Sequence, residues 1–273
     1  MITTNPMQLK AFIKKKAAEK NISAQLVMQN YMMERSSYKH NFILKGGFLI
    51  SAIVGLDTRA TMDLDTTIKG FTLTHEKIYS VFEEICAVEV GDDVQFEIAG
   101  ISDIREGDEY PGIRVALKAN YAPIRVPLTV DVTTGDKITP KEIEYTFSML
   151  FEQRTLSVLA YNLETVLAEK LETVLSRNVA NTRPRDYYDI HILYTLRGAE
   201  CKKDILRQAL ERTAYKRGSQ MILIQYKEIL EEIRKSSQLL NQWERYRRQY
   251  EYAKEISFED TCDTLQKLVT DIM

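Results

Sequence analysis

Phe42-Ile43-Leu44-Lys45-Gly46-Gly47, followed after fifteen residues by Asp63-Leu64-Asp65, is the stretch on which the reading of this chain turns. A short apolar run ending in two glycines suits a turn whose backbone can approach a phosphate. In a strand, alternate side chains share a face, so Asp63, Asp65 and Thr67 project together while Met62, Leu64 and Ile68 point the other way. Two carboxylates roughly 7 Å apart on one strand repel unless a cation lies between them. Magnesium suits that place, because it takes one or two carboxylates and fills its remaining positions with water and phosphate oxygens. The spacing implies nucleotide chemistry.

Working outward, Met7 to Arg35 repeats its apolar residues at helical spacing, with breaks near Asn21 to Ser23 and at Ser36-Ser37, which predicts two helices. Phe48 to Val54 continues as a short helix. Val94 to Ile101, Ile113 to Ala119 and Ile124 to Val132 alternate like strands. They are separated by Gly100, Glu106-Gly107-Asp108 and Ala122-Pro123. Pro127 lacks a ladder donor and predicts an edge or bulged strand. From Leu163 onward the helical period dominates, with turns near Asn178 to Pro184, at Gly198 and around Lys254 to Ser257. The expectation is an α+β chain: a mixed α/β lobe with N-terminal helices over residues 1–155, then a helical lobe over 156–273.

Composition narrows the function classes. A net charge of −2 excludes a global polycation of the kind that by itself argues for nucleic-acid binding. Three scattered cysteines, Cys86, Cys201 and Cys262, argue for free thiols in a reducing compartment, so cytoplasm is expected. No apolar run approaches the roughly 18 residues of a spanning helix, and no export signal opens the chain. His40, His75 and His191 lack the mutual spacing of a metal site.

Several residues break their local pattern. Asp131 lies on the polar side of Ile124 to Val132, where it is either a third carboxylate or the opening of the turn Thr133-Thr134-Gly135-Asp136. Lys170 falls inside the apolar stripe of Leu163, Val166, Leu167, Leu171 and Val174, so its ammonium must snorkel or meet an anion. That anion is either a phosphate or an internal carboxylate such as Glu164 or Asp186. Pro184 suits the first position of a helix capped at Gly198. On that helix Asp186 and Asp189 are neighbours, and they either complement the helix dipole or, with Arg183 and Arg185, orient Lys170 and a bound nucleotide. Trp243, Tyr246 and Tyr250, interleaved with Arg245, Arg247 and Arg248, read better as a packing stripe than as a stacking platform for bases.

Five pieces in fixed order carry a resemblance. These are Phe42 to Gly47, Arg59-x-Thr61-x-Asp63-x-Asp65, Val130-Asp131-Val132-Thr133-Thr134-Gly135-Asp136, Glu169-Lys170-Leu171-Glu172, and Arg185-Asp186-x-x-Asp189. Together, over roughly residues 20 to 200, they resemble the AbiEii/AbiGii family of nucleotidyltransferase-like toxins of bacterial abortive-infection and toxin-antitoxin systems. The resemblance implies a DNA polymerase β-like nucleotidyltransferase sheet with flanking helices, joined to a helical lobe. It implies that Lys45, Gly46 and Gly47 hold the nucleotide phosphates, with Lys170, Arg185 and Asp189 as further nucleotide contacts. Asp63, Asp65 and Asp131 are then the metal ligands, and these three with Lys170 and Asp186 form the catalytic set. One or two magnesium ions and a nucleoside triphosphate donor are implied, with a tRNA 3′ end as the first-choice acceptor. An AbiEi-like antitoxin acting without stable binding, a part in phage defence and no membrane partner are implied as well. Many members of the wider superfamily have Gly-Ser where this chain has Gly46-Gly47, and the spacing to Asp63 is on the long side. An antibiotic-type or protein nucleotidyltransferase, and an idle nucleotide-binding module, are the alternatives.

Overall fold

A computed structural model of the 273-residue chain describes residues 6–20, 41–55, 58, 59, 61, 63–88, 94–104, 112–148 and 155–273. Two compact units emerge, one of Met1–Asp136 with Ile143–Ala160, the other of Lys137–Glu142 with Tyr161–Met273. The second helix expected before Arg35, the turn at Glu106-Gly107-Asp108, and the residues Met62 and His40 lie outside the described residues.

The first unit contains helices α1 (Pro6–Lys20), α2 (Gly46–Val54) and α3 (His75–Cys86). Its strands are β1 (Phe42–Lys45), β2 (Asp63–Ile68), β3 (Gln95–Ile104), β4 (Gly112–Tyr121), β5 (Ile124–Thr133), β6 (Ile143–Ser148) and β7 (Thr155–Ala160). The seven strands form one mixed sheet in the order β3-β4-β5-β2-β1-β7-β6. β3, β4 and β5 are an antiparallel meander, whereas β2 runs parallel to β5, and β1 runs parallel to β7. β1 is buried at all four positions, which is why it reads as a continuous apolar run instead of alternating. Phe42 meets Phe82 of α3 edge-on with ring centroids 5.8 Å apart, so α3 covers the sheet with its Ile78, Val81 and Phe82 face. Thr74 starts α3 by accepting the N–H of Lys77.

Two local expectations change. Pro127 does not mark an edge strand, because β5 is flanked by β4 and β2. The registered β2 partners run only from Asp63↔Thr129 to Thr67↔Thr133, so the missing donor of Pro127 falls in the stretch of β5 before that pairing begins. The helix expected from Phe48 begins earlier, at Gly46, so the two glycines are the first turn of α2 itself.

The second unit holds α4 (Leu163–Arg177), α5 (Pro184–Arg197), α6 (Lys203–Arg217), α7 (Ile222–Lys235), α8 (Ser237–Gln249) and α9 (Phe258–Ile272). Asn162 caps α4 through the N–H of Thr165, and its amide donates to the carbonyls of Thr139 and Lys141, which ties the segment Lys137–Glu142 to this unit. Pro184 takes the first turn of α5 as its fixed φ favours. α9 opens with a reciprocal capping box between Ser257 and Asp260. Trp243 is fully buried and donates from Nε1 to the carbonyl of Ile256, and Tyr246 is buried beside it, so the aromatic stripe of α8 is packing. All three cysteines are free thiols; burial pushes Cys201 up to about 12 and Cys262 up to about 11, which leaves both poor nucleophiles at neutral pH. Among the described residues no helix is long and apolar enough to cross a membrane.

Candidate functional site

In the first unit, strand register builds a row of four charged residues. Lys45 of β1 lies opposite Asp65 of β2, Asp65 lies opposite Asp131 of β5, and Asp131 lies opposite Arg114 of β4. Residues opposite one another across a ladder project from the same face, so the row reads plus, minus, minus, plus across the middle of the sheet. Asp63 shares that face two residues before Asp65 and is exposed, while Asp65 is half-buried.

The outer members are held by opposite charges. Lys45 is buried; its ammonium donates to Thr133 Oγ1 at 2.7 Å and forms an ion pair with Asp136. Thr133 in turn donates to Asp136 at 3.0 Å, and the turn between them passes through Gly135 at φ +75°. Lys45 thus fastens the end of β1 to the end of β5 just before Gly46. At the other end, Arg114 Nε donates to Asp131 Oδ1 at 2.7 Å and its Nη2 donates to Oδ2 at 2.8 Å. This bidentate bond, then the charge of Asp131, and more weakly those of Asp63 and Asp65, raise the guanidinium pKa. Each Asp131 oxygen therefore accepts one bond from Arg114. Among the described residues, no group of three or more histidine, cysteine, aspartate or glutamate side chains is arranged to hold a metal ion.

The two glycines are required by close approach. Gly46 has φ +64°, and a Cβ there would lie 2.2 Å from Asp65 Oδ2. A Cβ on Gly47 would lie 2.7 Å from Thr61 Oγ1 and 3.1 Å from a guanidinium nitrogen of Arg59. Serine at this position would meet the same obstacle, so the departure from Gly-Ser goes with Thr61, whose hydroxyl stands against the turn. The Gly47 N–H points at Asp65 Oδ2 across 3.4 Å, a long contact. The start of α2, with backbone donors and the positive end of its dipole, thus faces one carboxylate of the acid pair.

In the second unit, Lys170 of α4 meets two carboxylates of α5: Asp186 Oδ1 at 2.7 Å and Asp189 Oδ2 at 2.9 Å. The side chains are 20%, 7% and 0% exposed, respectively, so the cluster is desolvated. Of the two carboxylates weighed for Lys170, Asp186 is the partner and Glu164 is not, because Glu164 accepts the N–H of Lys202 at 2.9 Å instead. Asp186 Oδ2 is buried without a hydrogen-bond partner. Arg185 is exposed on the first turn of α5.

Arg114 and Asp136 carry geometry that strand alternation alone does not reveal. The signal for Arg114 is the hairpin: β4 and β5 pair from Tyr121↔Ile124, and counting outward from that turn puts Arg114 opposite Asp131.

Comparison with known proteins follows the same lines. The sequence profile of the family described as nucleotidyl transferase AbiEii toxin, type IV toxin-antitoxin system, matches residues 30–265. No curated protein matches the chain. Among solved structures, a candidate nucleotidyltransferase from Helicobacter pylori is 16% identical, covering 92% of this chain and 96% of its own at TM-score 0.49. The H. pylori protein JHP933 is likewise 16% identical, covering 92% of both chains at TM-score 0.49. An antigenic nucleotidyltransferase-like protein from Paracoccidioides brasiliensis, also 16% identical, covers 65% of this chain and 81% of its own at TM-score 0.37.

Proposed function

Because the chain belongs to the family of the nucleotidyl transferase AbiEii toxin of type IV toxin-antitoxin systems, we propose that it transfers a nucleoside monophosphate from a nucleoside triphosphate to an acceptor hydroxyl. A tRNA 3′ end is the first-choice acceptor. The observation that carries this reading is the pairing of the α2 N-terminus with the carboxylate row: Gly46 and Gly47 start a helix against Asp65, and Asp65 lies in register with Asp131.

In this reading the triphosphate lies over the first turn of α2, where backbone N–H groups and the helix dipole receive its oxygens. Gly46 and Gly47 let the first turn of α2 pack directly against Asp65 and Thr61, where any side chain would collide. Asp63 and Asp65 fit a hard divalent cation such as magnesium: two acids share one face, one of them exposed, and such an ion needs only one or two carboxylates when phosphates complete its shell. When bound, it supplies neutralisation of charge on the attacked phosphate and the leaving pyrophosphate. Asp131, oriented by Arg114, helps deprotonate or position the acceptor hydroxyl. Lys45 sets the end of β1 through Asp136 and so places the glycine turn. Within the second unit, Lys170 is held between Asp186 and Asp189 with Arg185 exposed on the same helix, and a role for this set in nucleotide contacts is what the family resemblance implies. The reaction belongs in the cytoplasm, with toxicity held in check by an AbiEi-like antitoxin that does not bind stably.

The test is incubation of the purified full chain with total bacterial RNA, magnesium and each α-labelled nucleoside triphosphate in turn, beside Asp65→Asn. Label entering a tRNA-sized band with one nucleotide and vanishing in the variant is expected. Full transfer by a folded Asp65→Asn variant would sink the assignment of the carboxylate pair, and label on protein or a small molecule instead would replace the acceptor.

A further inference from the structure

The first turn of α2 carries no side chain of its own that can bond a phosphate. Gly46 and Gly47 have none, Phe48 is apolar, and the ammonium of Lys45, at the N-cap, is engaged by Thr133 and Asp136. A polar side chain nonetheless stands against the turn. Thr61, two residues before β2 begins, places its Oγ1 2.7 Å from the point where a β-carbon on Gly47 would lie. Its hydroxyl therefore fills the space that a short polar side chain on the turn itself would take. It donates to the carbonyl of Asp63 across 3.4 Å, a long and weak contact, and a hydroxyl turns readily toward a better acceptor. Thr61 is buried, and its branched β-carbon makes it stiff at χ1, so the oxygen is held in place beside Gly47. In surroundings screened from water, a bond from such a hydroxyl to an anion is stronger than the same bond in solvent.

We propose that Thr61 is a phosphate-binding residue: its hydroxyl donates to an oxygen of the triphosphate at the first turn of α2, beside the N–H of Gly47. The proposal rests on the reading that places the triphosphate at that turn. It gives Thr61 a task distinct from those of the carboxylates, and it accounts for the bare Gly47, since a side chain there and the Thr61 hydroxyl cannot share one space.

The experiment measures binding of inorganic tripolyphosphate with magnesium to the full chain by isothermal titration calorimetry, with thermal melting to establish that each variant is folded. Tripolyphosphate supplies the phosphates without base or sugar. Thr61→Val keeps the shape and removes the hydroxyl, and should bind about ten- to a hundredfold more weakly, whereas Thr61→Ser should stay within about threefold of the wild type. The hydroxyl can also be moved. Gly47→Ser alone collides with Thr61; combined with Thr61→Ala it loses the 2.7 Å obstacle, and its nearest remaining neighbours are a guanidinium nitrogen of Arg59 at 3.1 Å and the β-carbon of residue 61 at 3.3 Å. That double variant should bind at least about fivefold more tightly than Thr61→Ala alone. Thr61→Val as tight as the wild type while Asp65→Asn is weakened, Thr61→Ser as weak as Thr61→Val, or a folded double variant no tighter than Thr61→Ala overturns the proposal and leaves the phosphate site standing. Binding indifferent to both Thr61→Val and Asp65→Asn, or no binding by the wild type, removes the phosphate site and the proposal together.

Discussion

Replacing Lys170 with methionine keeps the length of the side chain and removes its charge, and the geometry of the cluster sets the cost. Asp186 Oδ1 and Asp189 Oδ2 lie 2.7 and 2.9 Å from one Nζ, so they are at most 5.6 Å from each other. With an effective dielectric constant of about 20, two bare carboxylates at that separation repel by about 3 kcal/mol or more. Breaking a buried ion pair by deleting one partner generally costs about 3–5 kcal/mol, and these acids are 7% and 0% exposed, so little solvent screening reduces it. Lys170→Met should therefore lose about 3–5 kcal/mol. Urea unfolding followed by the fluorescence of Trp243, the only tryptophan and fully buried in the same unit, reports the loss directly. Adding Asp189→Asn to Lys170→Met removes the repulsion and should recover about 2–3 kcal/mol. A Lys170→Met midpoint equal to wild type would refute the reasoning. So would a double variant no more stable than the single one, since the cost would then not be electrostatic.

The glycine turn and a half-buried histidine give two more tests. Gly46→Ala forces a side chain into φ +64° and onto Asp65; about 1–2 kcal/mol for the backbone and about 1–3 kcal/mol for the crowding are expected, and an unchanged melting temperature would contradict the close approach. His191, whose Nδ1 lies 2.8 Å from Thr264 Oγ1, has its pKa lowered from 6.5 first by burial, with the backbone of Asp260 opposing. The unfolded chain then takes up this proton before the folded one, so stability falls as pH drops below about 6.5 toward the folded value. His191→Gln should narrow the difference in urea midpoint between pH 7.5 and pH 5.5, and an unchanged difference would count against the burial effect.

Much of this was legible in residue order. The switch from period-two strands to helical spacing past Leu163 marks the change of architecture, and the alternation of Ile124 to Val132 places Asp131 on the polar side of its strand, as observed. Lys170 announced itself by interrupting an apolar stripe, and the choice of Asp186 over Glu164 needed knowledge of where α6 begins, because the N–H of Lys202, just ahead of it, claims Glu164. What could not be read was pairing between distant strands. Nothing local says that β2 lies parallel to β5, so the alignment of Asp65 with Asp131 appears only in the assembled sheet. Arg114 was within reach by counting back from the Ala122-Pro123 turn, but only once the hairpin register was used and not merely its strands. The breadth of β5 on both sides also hid from the proline rule, which speaks about one missing donor and not about the whole strand.

The parallel pairing of β2 with β5 has a consequence for how the chain acquires its chemistry. Thr67 and Thr133 are bonded side chain to carbonyl across 66 residues of sequence, whereas β4 and β5 close locally through their hairpin. Closing so long a loop carries an entropic charge that a hairpin does not, and parallel pairs form late for that reason. The acid row is accordingly a product of the final topology: during synthesis Asp63 and Asp65 emerge well before Asp131, and a nascent or truncated chain ending ahead of β5 has no row at all. Under the role proposed for the row, activity is tied to completion of the fold, so that folding itself separates the making of the polypeptide from the onset of its action.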